Sequence, residues 1–266
     1  MTSALSAEEI REHLARADLE VEGRLWDSSN SAMRVVCRHA GQSLPAVYKP
    51  MRGERPLWDF PAGTLGLREV ATAEIDEALG WGCVPPTVWR EDGPHGPGSL
   101  QAWIDADEAR APVEVMEVSQ APAAWRVIAE GEGARGDHVC LAHEDSAALR
   151  RIALLDCLVN NADRKGGHVL RATSGAVLGI DHGLTFHTEP KLRTVLWGWA
   201  GDPIEPELIA DLRTLHAQWC AVEDRLGVLL ASREIRATRD RLTELLASGR
   251  MPDPDGAWPA LPWPAM

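Results

Sequence analysis

The chain has 266 residues, 45% of them hydrophobic and 25% charged, a composition typical of a globular protein with one large or two smaller domains. Its net charge of −13 argues against unaided binding to nucleic acid or anionic lipid, because both depend on phosphate contacts from Lys and Arg. An anionic ligand must therefore be held in a local pocket. No apolar run reaches the roughly 18 residues that span a bilayer, and the N-terminus is charged where a signal peptide is apolar, so we expect a cytoplasmic protein without stable membrane association.

The first part of the chain is predicted to form a helix followed by strands. Residues 7–17 (AEEIREHLARA) have the apolar spacing of a short amphipathic helix. Three strand-like runs follow in meander order, and the first two are separated by the turn 27–31 (DSSNS). Ser28, Ser29 and Asn30 place small hydroxyl and amide side chains beside exposed backbone N–H groups in this turn. The turn is therefore either an ordinary hairpin turn or a loop that covers phosphate.

A lysine at the end of the third strand-like run (AVYKP) is the most informative residue of this part. Lys49 ends an apolar strand, where a charge needs a partner or access to solvent. After a Pro/Gly-rich loop, residues 67–80 are predicted to form a helix that ends at Gly80, and Glu69 and Glu74 are its candidate partners for Lys49. A strand with Lys followed by a helix with Glu is the order of a protein-kinase-like N-lobe, where the lysine holds phosphate oxygens and the glutamate holds the lysine.

Two further strand-like runs, VPPTVWR and SLQAWID, bring the predicted sheet to about five strands. The segment after the fifth strand would join two lobes, with the backbone from Gln101 to Trp103 in a position to pair with an adenine edge. Residues 105–144 are mixed and Gly-rich, and we expect a linker with a short helix near residues 123–128.

The second half of the chain is predicted to be mainly helical. The run HEDSAALRRIALLDCLVNN has helical apolar spacing and a cap at Asp145 or Ser146. Asp156 lies among its apolar residues, and we expect the backbone N–H groups of the next turn to satisfy this carboxylate. Three helical runs follow between residues 204 and 249, and the last 17 residues, rich in Pro and Trp, are an extended tail on their own domain or a partner-binding segment.

Two acidic turns between these parts carry the chemistry. Asp163 is followed five positions later by His168, and Asp181 opens a DHG turn after the strand-like run AVLGI. Phosphoryl transfer requires a carboxylate to orient the attacking hydroxyl, and a second carboxylate with one loop side chain to hold the metal ion. A kinase catalytic loop has this order of Asp, short loop, metal ligand, hairpin and second Asp.

The motifs NNADRKGGHVL and GIDHGLTF resemble the D-R-x-x-x-N and D-x-G pair of the phosphatidylinositol 3-/4-kinase-like and HipA-like atypical kinases. With VYKP, the following helix and GPGSLQAWI in the same order, the chain is similar to an actinobacterial branch of that superfamily over about residues 20 to 220. The resemblance implies an α+β, bilobal, protein-kinase-like fold. Residues 1–104 would be a small N-lobe of about five antiparallel strands and one helix, residues 105–249 a mainly α C-lobe, and residues 250–266 the tail.

The resemblance also implies roles for the site residues and an ATP-dependent kinase activity with Mg²⁺ or Mn²⁺. Lys49 would hold the phosphates with Glu69 as its partner, and the turn at residues 28–30 would cover them. Asp163 would be the catalytic base or hydroxyl-orienting group, and Asp181 the principal metal ligand with His168 as the second.

Three departures from the superfamily pattern keep a pseudokinase or a nucleotide-binding scaffold open. His168 stands where Asn is usual, which makes Mn²⁺ or a one-metal site plausible, because imidazole is a poorer Mg²⁺ ligand than an amide oxygen. Lys165 replaces the usual His, and the phosphate loop has no glycines.

The phosphoacceptor is open between a protein Ser/Thr residue, a small polyol and the chain itself, and AMP transfer is a further alternative. In a different class, His168, Asp181, His182 and His187 could form a transition-metal site.

Overall fold

The computed structural model describes residues 5–25, 31–254, 256 and 258–266. The predicted phosphate turn with Ser28, Ser29 and Asn30 lies outside these residues, so its role stays a prediction.

The first lobe is a five-stranded antiparallel sheet with two helices. Its elements are α1 (Ala7–Arg16), β1 (Asp18–Arg24), β2 (Met33–His39), β3 (Gln42–Pro50), α2 (Leu65–Leu79), β4 (Thr87–Arg90) and β5 (Gly98–Ala102). The strand order is β1-β2-β3-β5-β4 with every pair antiparallel, which confirms the predicted five strands. A capping box between Ser6 and Glu9 begins α1. Helix α2 ends at the left-handed Gly80, as the sequence predicts.

A second sheet lies where the sequence led us to expect a linker. Its strands are β6 (Val113–Glu117), β7 (Trp125–Glu132) and β8 (His138–Glu144), in the order β6-β8-β7. The helix predicted near residues 123–128 is therefore wrong, because this stretch begins the edge strand β7. Within this sheet, buried and exposed residues alternate only in the short β6, and glycines interrupt the β7–β8 hairpin. The two-residue alternation that marks a strand is therefore hidden in the sequence.

The second lobe is built around helix α3. Its elements are α3 (Ala147–Val159), the short hairpin β9 (Val169–Arg171) and β10 (Val177–Gly179), α4 (Pro206–Ala217), α5 (Trp219–Leu226) and α6 (Ser232–Ser248). Of the two predicted caps for α3, the structure uses Ser146, whose hydroxyl accepts a hydrogen bond from the Leu149 N–H. The apolar face of α3 is fully buried and packs against α6 and β10, with Leu149, Ile152, Leu155 and Leu158 at its centre.

This arrangement is a bilobal, kinase-like α+β fold, as predicted. The divisions of the chain after residues 104 and 249 stay predictions. Within the described ranges, no helix combines the length and apolarity that crossing a bilayer requires.

Candidate active site

Lys49 is the centre of the site and bonds to a carboxylate from each lobe. Its Nζ lies 2.5 Å from Glu69 Oε1 on α2 and 3.0 Å from Asp181 Oδ1 in the DHG turn. Lys49 lies near the end of strand β3, and Glu69 on α2 is almost fully buried. Of the two predicted partners, the structure selects Glu69, since Glu74 forms an ion pair with Arg225 on α5.

The three charges of this cluster control one another's protonation. Burial alone would lower the pKa of Lys49, but the charges of Asp181 and Glu69 raise it above its usual range. Burial raises the pKa of Asp181, and the nearby ammonium of Lys49 more than reverses this, so its pKa lies well below the usual value. At neutral pH the lysine is therefore held as a cation and Asp181 as an anion, which suits phosphate binding and metal binding respectively.

The backbone of the DHG turn places Asp181 in this position. Asp181 has a φ of 57°, a left-handed conformation that is uncommon for a residue with a Cβ but that Asp adopts more readily than most residues. Gly183, two residues on, lies against α2, where an added Cβ would be 3.4 Å from the Leu65 Cβ. The turn thus packs directly against the helix that carries Glu69.

Asp163 lies in the turn after α3. Asn160 ends α3 in a left-handed conformation, and the side chain of Asn161 accepts a hydrogen bond from the Asp163 N–H at 3.0 Å. Burial raises the pKa of the Asp163 carboxyl, while Lys165, whose Nζ lies 3.4 Å from Asp163 Oδ2, lowers it in part. A carboxylate with a raised pKa is a better proton acceptor, and 23% of this side chain is accessible.

Sequence reasoning missed Arg164, a fully buried residue that joins both acidic turns to α3. Its guanidinium forms two hydrogen bonds of 2.9 Å with Asp156 and donates to the Ile180 carbonyl at 2.5 Å. These bonds fix the residue after Asp163 to the residue before Asp181. The expectation that backbone N–H groups satisfy the Asp156 carboxylate is wrong, because the side chains of Arg164 and Asn161 donate to it instead. The signal in the sequence that could have identified Arg164 is its position directly after Asp163.

His168 reaches Asp181 from the other side. Its Nε2 lies 3.2 Å from Asp181 Oδ2, and burial lowers the pKa of the imidazole to about 4, so the ring is neutral at pH 7. Two ligands of one octahedral ion are separated by about 3 Å, so this spacing fits a shared divalent ion. A neutral imidazole with a carboxylate is a donor set that suits Mn²⁺ better than Mg²⁺.

The alternative transition-metal site does not fit the positions of the other two histidines. His182 Nε2 lies 2.7 Å from a guanidinium nitrogen of Arg164, which can only donate, so its lone pair is occupied. His187 accepts from the Glu189 N–H and packs against Phe60. Among the described residues, no group of three His, Cys, Asp or Glu side chains is arranged to hold a metal.

The predicted adenine contact needs a correction. Gln101 pairs with strands on both sides, and its buried side chain donates to Thr87 Oγ1. The N–H of Ala102 donates to the Pro86 carbonyl, and that of Trp103 to the Pro45 carbonyl. Because β5 is an interior strand, the backbone N–H groups from Gln101 to Trp103 donate within the sheet. An adenine edge would need donors further along the chain.

Further contacts hold the two lobes together beside the site. Arg68, next to Glu69, is buried and donates to the Thr185 carbonyl at 2.5 Å and to Glu234 on α6. Lys191 is also buried, with its Nζ 2.6 Å from Asp59 Oδ2 in the loop before α2. Its charge is therefore neutralised within the protein. Arg193 donates to the carbonyl of Ala162 at 2.6 Å, so it supports the turn at Asp163.

The fold and these contacts define a protein with a kinase-like fold, in which the lysine contacts the helix glutamate and one turn aspartate, and the second turn aspartate lies close enough for Asp181 to raise its pKa. The chain is 42% identical over 262 residues to Protein Rv2133c of Mycobacterium tuberculosis, across 95% of this chain and 94% of that one, and it belongs to the same family. No protein-family profile matches it. Among solved structures it is similar to the proinflammatory kinase CtkA of Helicobacter pylori, with a TM-score of 0.44 and 9% identity over 90% of this chain and 94% of that one.

Proposed function

We propose that the protein is an ATP-dependent phosphotransferase that transfers the γ-phosphate to a hydroxyl group. The observation that carries this proposal is the position of Lys49 Nζ, 2.5 Å from Glu69 and 3.0 Å from Asp181. A lysine held by a helix glutamate and facing a turn aspartate is the arrangement that kinases use to position phosphates and metal. A structural ion pair would need one carboxylate, whereas this lysine has two from separate lobes.

The roles of the residues follow from their positions. Lys49 would bind phosphate oxygens, and Glu69 would keep its side chain directed into the cleft. Asp163, with its raised pKa, would orient the acceptor hydroxyl and receive its proton as the phosphoryl group is transferred. Lys165, 3.4 Å from Asp163, would stabilise the charge on the transferred group.

Asp181 and His168 would hold the divalent ion. Their 3.2 Å separation and the neutral imidazole fit Mn²⁺, and Mg²⁺ with phosphate and water ligands is the second candidate. When bound, the ion would neutralise charge on the phosphates. The turn at residues 28–30 would cover the phosphates from the small lobe.

The acceptor is a protein Ser/Thr residue or a small polyol, and autophosphorylation belongs to the same proposal. The net charge of −13 and the internal pairing of Lys191 with Asp59 disfavour an acceptor in an anionic membrane.

The test is transfer from γ-labelled ATP with Mg²⁺ or Mn²⁺ into the protein itself and into a cell lysate. Asp163→Asn and Asp181→Asn keep the side-chain shape, and each should lower the rate about 100-fold or more. Glu69→Gln should lower it as well, and Glu74→Gln, on the same helix but paired with Arg225, is the matched control that should not. Unchanged turnover in both aspartate variants would reject the proposal.

One observation favours a second candidate, a nucleotide-binding pseudokinase or scaffold. Both oxygens of Asp181 are engaged by protein groups, one by Lys49 and the other by His168. If these contacts persist with nucleotide bound, the carboxylate would not be free for a metal. A nucleotide-dependent rise in melting temperature without any transfer, in the presence of either metal, would support this candidate.

A further inference from the structure

A cavity of about 750 Å³ lies in the second lobe, and none of the site residues of the cleft lines it. Its walls are α6, the segment after the DHG turn from Thr188 to Leu192, and the beginning of the tail at residues 250–254. This volume is within the range of small-molecule sites, roughly 300–1,000 Å³.

A half-buried arginine gives the cavity its electrostatic character. Arg241 on α6 donates hydrogen bonds to the carbonyls of Leu158 and His187 and to the hydroxyl of Thr238. These acceptors are all neutral, and no carboxylate of the described chain lies within ion-pair distance of the guanidinium. Burial lowers the pKa of Arg241 to about 10, although the charges of Glu244 and Asp240 act in the opposite direction. A partly buried cation without an ion-pair partner is stabilised by an anion.

The rest of the cavity separates into an apolar wall and a polar rim. Leu245 and Met251 are buried apolar residues of the wall, and Leu192 is half-buried beside them. The acidic residues that line the cavity, Asp240 and Glu244 among them, are exposed, so water and salt screen their charges. Of the charged lining residues that the structure describes, Arg241 is the least exposed.

We propose that this cavity binds a small amphipathic anion. Its carboxylate, sulfonate or phosphate group would accept charge-assisted hydrogen bonds from Arg241, and its apolar body would lie against Leu245, Met251 and Leu192. Asn160 also lines the cavity, and its side chain donates to the carbonyls of His187 and Glu189. An occupant would therefore touch the residue that fixes the segment after the DHG turn.

Binding can be measured on the full-length chain with the fluorescent anion 8-anilinonaphthalene-1-sulfonate and with its uncharged analogue N-phenyl-1-naphthylamine. We expect saturable one-to-one binding of the sulfonate, with energy transfer from tryptophan, because Trp197 and Trp258 line the cavity. Arg241→Met should weaken sulfonate binding about tenfold or more and leave binding of the uncharged probe unchanged. Arg241→Lys, which keeps the charge, should lose less.

A second variant tests the location without changing the charge. Ala237 lines the cavity from α6, and Ala237→Phe should fill it and abolish binding of both probes. Circular dichroism and cooperative melting show whether each variant is folded. If Arg241→Met does not fold, Ala237→Phe tests whether the probes bind in this cavity. Sulfonate binding that does not saturate, that is unchanged in Ala237→Phe, or that ATP displaces competitively would overturn the proposal. These measurements involve no turnover, so their outcome is separate from that of the proposed kinase activity.

Discussion

Arg68 on α2 and Glu234 on α6 form an ion pair in which both side chains are buried, although 166 positions separate them in the chain. Removing one partner of a buried pair leaves an uncompensated charge, so Arg68→Met should lower the free energy of unfolding by about 3–5 kcal/mol in urea denaturation. The double variant Arg68→Met/Glu234→Met should recover most of this loss. Arg233→Met, an exposed change on α6, is the control and should cost less than about 0.5 kcal/mol. Equal stability of the two Met variants at positions 68 and 233 would contradict the expectation.

Arg164 should affect the turnover step more than nucleotide binding. Its bonds to Asp156 and to the Ile180 carbonyl position both acidic turns but leave Lys49 untouched. Lysine at this position keeps the charge and loses the two-pronged contact with Asp156. For the proposed activity, we expect Arg164→Lys to lower kcat about tenfold or more, with a smaller change in KM for ATP. Steady-state kinetics would show this, and a change confined to KM would be inconsistent with a positioning role.

The buried His143 should make stability depend on pH. Its Nε2 accepts a hydrogen bond from the Gly198 N–H, and burial lowers its pKa below the unfolded value of 6.5. The unfolded chain therefore binds more protons between the two pKa values, and the free energy of unfolding should fall as pH falls below 6.5 and be unaffected above it. Urea denaturation from pH 5 to 8 should show a weaker dependence for His143→Gln. His95→Gln, at an exposed site, should behave like the wild type.

Residues 265 and 266 should influence the turn that carries Asp163, and with it the proposed phosphoryl transfer. The Ala265 carbonyl accepts a hydrogen bond from the Gly166 N–H at 2.8 Å, and Met266 packs against the same glycine. Deleting Ala265 and Met266 should accelerate deuterium exchange at Gly166 and lower the transfer rate, while the melting temperature changes by only a few degrees. Trp263→Tyr, at an exposed position of the same tail, should change neither quantity. Unaltered exchange at Gly166 in the deletion variant would show that the tail does not hold the turn.

Sequence patterns predicted the parts of the fold whose signals are local. The five strands, the helix with Glu69 and the helix before Asp163 follow from apolar spacing and from caps such as Gly80 and Ser146. The second sheet was missed because glycines and exposed positions break the alternation of β7. Short-range sequence patterns therefore predict regular helices and strands, but they do not predict strands whose alternation is irregular.

The candidate site was predictable in its charged residues and not in the residues that support them. Lys49 stands near the end of an apolar strand, and Asp163 and Asp181 lie in the turns after a helix and a strand, positions that are visible in the sequence. Arg68 looks like an ordinary surface arginine, because its buried role depends on Glu234, which only the folded chain brings close. Arg164 is marked in the sequence only by its place beside Asp163, and its bond to the Ile180 carbonyl is not visible there. The pairing of Lys191 with Asp59 was hidden for the same reason.

Arg68 and Glu69 are consecutive on α2 and bond in opposite directions, one to the large lobe and the other to Lys49. The helix therefore cannot turn to release one contact without disturbing the other. By thermodynamic linkage, a ligand that binds Lys49 should also protect the amides of α6 from exchange, and a change that destabilises α6 should weaken the proposed nucleotide binding.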